Sequence, residues 1–288
     1  MSATQTIEPE EGSAPLETAR PERIRQVLAP ADQRPHRSGA ISASLTYAWR
    51  ALLKIKHLPE QLFDVTIFPI MMTVMFTYIF GGALAGSVDG YVQWLIPGIF
   101  VQTLIMITMY TGLTLNRDIS KGVFDRFRSL PTWRPAQLVG ALLGDQVRYT
   151  LAGVIILAVG FVMGFRPDGG ALGVVAAFVL LLVFSFSLSW VWTVISLVVR
   201  SEQAAMGVSM FILMPLTFAS NIFVDPRTMP DWLQGAVDVN PVSVVVTSIR
   251  ELMAGVYSAG SVLEVLVYCL VLVAVFGPAS MYIYNRKN

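Results

Sequence analysis

One cysteine, Cys269, and two histidines, His36 and His57, are all that 288 residues offer in the way of soft ligands. A lone cysteine inside an apolar run excludes a disulfide framework and a thiolate zinc site. The histidines stand apart from any carboxylate cluster, so metal catalysis has nothing to build on, and no serine–histidine set occupies the apolar runs. Charge is scarce too: 14% of residues are charged, against about a quarter in soluble domains. A net charge of +1 with no dense basic run speaks against a nucleic-acid partner. No G-x-x-x-x-G-K-S/T segment occurs, so the chain cannot cradle nucleotide phosphates itself.

What is plentiful is apolar: 55% of residues, with a mean hydropathy of +0.63. Several runs reach the roughly 20 residues needed to cross the hydrocarbon. The expectation is an all-α polytopic membrane protein with six transmembrane helices, at about 62–82, 93–115, 138–164, 171–199, 204–224 and 262–283. Residues 1–40 are polar, proline-containing and too poor in apolar side chains to bury a core. With no n-region leading into an apolar h-region, they read as a disordered cytoplasmic tail, and 41–288 as the transmembrane domain. From Ser44 to His57, Leu45, Ala48, Trp49, Leu52 and Ile55 form one face and Thr46, Arg50, Lys54 and His57 the other. That pattern describes an N-terminal interfacial helix.

Few charges approach the spans. Asp64 reads as an anchor at a span end, and Asp145 and Arg148, three apart, share a helix face and can pair. The third span carries Gly140-x-x-x-Gly144 and Gly160-x-x-x-Gly164, spacings that let backbones approach in lipid. In the loop from Asp225 to about Ser261, Thr228 and Asp231 have capping-box-like spacing. The apolar run after Pro241 is cut by Arg250 and Glu251 before it can span, which suits a re-entrant or interfacial helix. Counting Lys and Arg puts sixteen of the twenty on the side of the termini and three on the other. Both termini are therefore expected in the cytoplasm of a multi-pass plasma-membrane protein, with the long loop external.

Between spans two and three lies the most patterned polar stretch, NRDISKGVFDRFRSLPTWRP, from Asn116 to Pro135. Ile119, Val123, Phe124, Phe127 and Leu130 line one helical face, Asp118, Lys121, Asp125 and Arg128 the other, and Pro131 stops the helix. Two readings stand: a helix lying on the headgroups, or a docking element for a cytoplasmic partner.

Taken together, an interfacial N-terminal helix, six spans, a cytoplasmic helix after the second and a broken external hairpin before the last resemble the ABC-2 type permeases of ABC exporters. WRALLKIKHLPEQLFDVTIFPIMM, GVFDRFRSLP and FVDPRTMPDWLQ are similar to the daunorubicin-resistance permease subgroup. The resemblance, which runs from about Trp49 to the end, implies the ABC-2 (type V exporter) fold. It implies a coupling helix bearing Arg117, Asp118, Lys121, Gly122, Phe124, Asp125, Arg126, Phe127, Arg128 and Pro131. It implies an external hairpin with Pro230, Trp232 and the spaced set Asn240, Pro241 and Arg250, although Val244 stands where the family places an aromatic or polar residue. It further implies a homodimeric permease seated on two cytoplasmic ATPase subunits that hold the ATP and Mg; this chain is expected to bind no cofactor.

The leading expectation is export of hydrophobic or amphipathic compounds such as anthracycline-like drugs, because Met and aromatic residues outnumber charges in the spans. The moderately polar positions of spans two and five, Thr103, Thr108, Tyr110, Thr111, Ser209, Thr217, Ser220 and Asn221, are the candidate path. Lipid or polysaccharide export is the alternative within the family. A proton-coupled transporter would need a carboxylate relay, and only Asp64, Asp145 and Glu264 approach the membrane.

Overall fold

The computed structural model describes residues 87–121 and 136–286, Thr46, Trp49 and, between 67 and 81, all but Phe68 and Phe80. Among these residues every regular element is a helix, with no strand. The helices are α1 (Pro69–Ile79), α2 (Val88–Ser120), α3 (Ala136–Val162), α4 (Gly170–Val198), α5 (Glu202–Phe218), α6 (Asp231–Asp238), α7 (Pro241–Met253) and α8 (Ala259–Arg286). Thr46 and Trp49 are helical and exposed; the rest of the expected interfacial helix and the tail at 1–40 lie outside the described residues.

Four helices, α2, α3, α4 and α8, are long and apolar enough to cross a membrane. They overlap the expected second, third, fourth and sixth spans. α2 and α4 form the centre, each packing against α3, α5 and α7, while α8 lies along α4. Leu95, Ile96, Ile99, Phe100 and Leu104 of α2 meet Leu181 and Phe184 of α4 in one buried cluster. The outer helix α8 buries only a thin stripe, Val265, Cys269, Gly277 and Ser280. Its other faces expose Leu263, Leu266, Leu270 and Val271, as expected of a helix bathed in lipid.

Two expectations need correction. The fifth span does not run to 224: α5 ends at Phe218, 17 residues or about 26 Å at 1.5 Å each, and Ala219–Val224 is irregular. Its last carbonyls are taken by a side chain far along the chain, which ends the helix where the apolar pattern continues. The capping box at Thr228 and Asp231 does not form either. Asp225 caps a short 3-10 turn, Pro226–Thr228, and Thr228 bonds back to the Asp225 carbonyl, leaving α6 to begin after Pro230 with no side-chain cap.

The glycine pairs separate into different roles. A Cβ on Gly160 would lie 2.8 Å from Ile96, so this glycine is a packing position. Gly164 instead has φ +98, and Phe165 N–H donates to the Gly160 carbonyl. That is the left-handed helix terminator. Gly140 and Gly144 are both buried.

Candidate functional site

Three polar constellations occupy the two ends and the middle of the bundle. At the end where α2 begins, Pro97 removes one helical N–H and loosens the turn before it. Gly98 opens space beside that turn: a Cβ there would lie 2.7 Å from the Ile222 carbonyl. The irregular segment after α5 fits against it; its residues Ser220–Phe223 are buried, and buried backbone carbonyls need partners within the protein.

Arg250 of α7 does most of that. Its Nη1 donates to the Asn221 carbonyl at 2.9 Å, Nη2 to Ile222 at 3.0 Å and Nε to Trp94 at 3.2 Å. The guanidinium also lies over the Trp94 ring, 3.3 Å from its centroid. Burial pulls its pKa down, against the opposing pull of Asp225 and Tyr91, and a guanidinium so supplied with acceptors keeps its charge. Tyr91 donates to the Phe223 carbonyl. Asn240 acts twice: its Nδ2 donates to the Leu216 and Ala219 carbonyls, closing α5, while its Oδ1 caps α7 at Val242. Pro241 takes the first helical position, where its missing N–H costs nothing. Trp232 is exposed on α6. The spacing of Asn240 and Arg250 thus corresponds to two turns and more of one helix that satisfies a break in another.

In the middle, Trp192 Nε1 donates to Thr108 Oγ1 at 2.8 Å. Tyr149 OH hydrogen-bonds Thr111 and, at 3.0 Å, Ser189. Gly112 allows this approach, since a Cβ would meet the Trp192 carbonyl at 2.8 Å. Arg148 and Asp145 pair at 3.0 Å, with side chains 5% and 13% exposed. Breaking such a pair leaves a buried charge, whereas removing both charges does not. Arg148→Leu is therefore expected to cost about 3 kcal/mol and the double change Asp145→Leu/Arg148→Leu much less. Thermal unfolding in detergent checks this, and equal losses in both variants would refute it.

At the far end, Asn116 Nδ2 donates to the Ser196 and Val199 carbonyls, both at 2.9 Å. The next residue, Arg117, forms a two-pronged pair with Glu202, its Nε to Oε2 contact measuring 3.1 Å. Lys121 is exposed at the close of α2. Gly122, Phe124, Asp125, Arg126, Phe127, Arg128 and Pro131 lie outside the described residues.

The expected path residues are placed variously. Thr108 and Thr111 belong to the helix-packing network, and Thr217 and Ser220 bond backbone carbonyls in and after α5. Ser209 is buried and Tyr110 half-buried. Thr103 is buried with an unpartnered hydroxyl. Asn221 lies in the break, its Nδ2 donating to Thr247. Reading the sequence alone misses Tyr91, Trp94 and Glu202; Pro97 and Gly98 inside an otherwise unbroken apolar run are the available signal for the first two.

Residues 43–254 match the family model for the ABC-2 type transporter. The chain belongs to the ABC-2 type transporter family. It is 49% identical over 265 residues to the daunorubicin resistance ABC transporter permease protein DrrB1 of Streptomyces coeruleorubidus, covering 92% of this chain and 93% of that one. It is 23% identical over 190 residues to a probable doxorubicin resistance permease, DrrC, of Mycobacterium tuberculosis, covering 66% and 68%. A probable multidrug permease of Escherichia coli, YbhR, is 25% identical over 201 residues, covering 68% and 53%. As an ABC-2 chain it is the membrane component of a transporter, and both the α5 break and the Asn240–Arg250 set fall within the matched region.

Proposed function

We propose that this chain is the permease subunit of an ATP-driven exporter that moves hydrophobic or amphipathic compounds of the anthracycline kind out of the cell. The observation that carries the reading is the 49% identity, over nearly the full length of both chains, to a daunorubicin-resistance permease. The sequence has no phosphate-binding loop, which supports ATP hydrolysis on a separate subunit. Two permease copies, each with six spans and both termini in the cytoplasm, meet two such ATPases. The Asn116–Pro135 stretch is the docking element, with Gly122, Phe124, Asp125, Arg126, Phe127, Arg128 and Pro131 as its contact residues and Lys121 at its root. The hairpin of α6 and α7 faces outward.

Co-purification with the cognate ATPase tests this. Asp125→Ala/Arg126→Ala is expected to abolish the complex while leaving the permease folded in the membrane. Unchanged ATPase binding and ATP-dependent daunorubicin export in that variant would return the stretch to a headgroup-lying helix.

A further inference from the structure

Asn116 and Arg117 are consecutive, yet they reach opposite sides of the turn between α4 and α5. Asn116 is buried and holds the last carbonyls of α4. Arg117 crosses to Glu202 in the first turn of α5, where the acid also suits the positive end of the helix. Only Val199, Arg200 and Ser201 separate the two helices, so both anchor points bracket one short turn. The end of α2 is thereby tied to two helices at the root of the Asn116–Pro135 stretch, ahead of the proposed contact residues from Gly122 to Pro131.

The two ties differ in kind. Asn116 makes its bonds in a dry contact, and they are costly to break. The Arg117 and Glu202 side chains are 40% and 39% exposed. Exposed pairs contribute little to stability, so this one is poorly suited to hold the fold together. It is well suited to a link made and broken during a working cycle. α5 is also held at its other end, where Asn240 closes its last turn on the Leu216 and Ala219 carbonyls. A shift at Glu202 therefore acts on a helix whose far end adjoins the segment caged by Arg250.

We infer that the Arg117–Glu202 pair transmits movement of the docking stretch to α5, Arg117 acting as a positioning residue that couples ATP turnover to export and not as a contact to the ATPase. This rests on the exporter function proposed above. In membrane vesicles holding the permease with its ATPase, Arg117→Glu and Glu202→Arg each keep ATPase binding and hydrolysis. Each loses about tenfold in daunorubicin moved per ATP. The charge swap Arg117→Glu/Glu202→Arg restores most of the loss. Unchanged transport per ATP in the single variants overturns the inference, as does a loss that the swap does not recover.

A second measurement stands without the ATPase. Spin labels at the exposed positions Ser120 and Gln203 are expected to give a narrow distance distribution in the wild type, broadened by either single change and narrowed again by the swap. Cys269, the only native thiol, is buried and leaves the labelling specific. Identical distributions in all four proteins overturn the link. If the wild-type complex moves no daunorubicin with ATP, the function proposed above fails while the label distances still decide the link.

Discussion

Arg250→Ala is expected to lower the thermal midpoint of the detergent-solubilised permease by on the order of 10 °C. The change removes the donors that satisfy the Trp94, Asn221 and Ile222 carbonyls. A buried polar group left unpaired costs about 1–3 kcal/mol, and hydrogen bonds to a charged group are at the strong end. At about 1 kcal/mol for each of the three carbonyls, the lower end of that range, the total is about 3 kcal/mol. For a chain of this size each kcal/mol shifts the midpoint by about 2–4 °C. The lost stacking on Trp94 adds a smaller amount. Arg250→Lys recovers less than half, because an ammonium is a point donor. It cannot present a planar fork to two adjacent carbonyls while its stem reaches a third. Midpoints followed by size-exclusion chromatography after heating decide the matter; a wild-type midpoint in Arg250→Ala would mean that the cage does not hold the break.

That cage marks the border between what is legible in the sequence and what is not. The spans at α2, α3, α4 and α8 are readable because length and hydropathy alone decide them. The pairing of Asp145 with Arg148 follows from a spacing of three on one helix. The two-faced pattern of the Asn116–Pro135 stretch is readable too, and its first residues continue helix α2 to Ser120. The break after Phe218 is not readable. Phe218, Ala219, Ile222, Phe223 and Val224 continue the apolar pattern, and the residues that end the helix, Asn240 and Arg250, lie about 20 and 30 positions on. Local propensity carries no record of such a partner. The candidate path suffers differently: a threonine or serine in a span has the same sequence signature whether it faces a substrate or, like Thr108 under Trp192, completes a helix contact. Polarity in an apolar run shows that a hydrogen bond is needed, not with whom.

Gly173→Ala is the second large effect, and its cause is a close approach of two backbones. α7 ends on the first turn of α4: Gly169 N–H donates to the Met253 carbonyl at 2.8 Å. A Cβ on Gly173 would lie 2.2 Å from the Leu252 carbonyl oxygen. The obstacle is main chain, not the end of a flexible side chain, so α7 as a whole must retreat. Overpacking of this sort costs about 1–3 kcal/mol, occasionally more, and the upper part of that range applies here. Gly207→Ala is the matched control. It sits within α5, and nothing lies within 4 Å of the position an alanine methyl would take. Alanine there is worth about 0.5–1 kcal/mol in helix propensity. The two variants should therefore move the melting midpoint in opposite directions. Because retreat of α7 also draws Arg250 away from the break, Gly173→Ala and Arg250→Ala share a cause. Their combined loss should fall short of the sum, and strict additivity would show that the end of α7 and its guanidinium act independently.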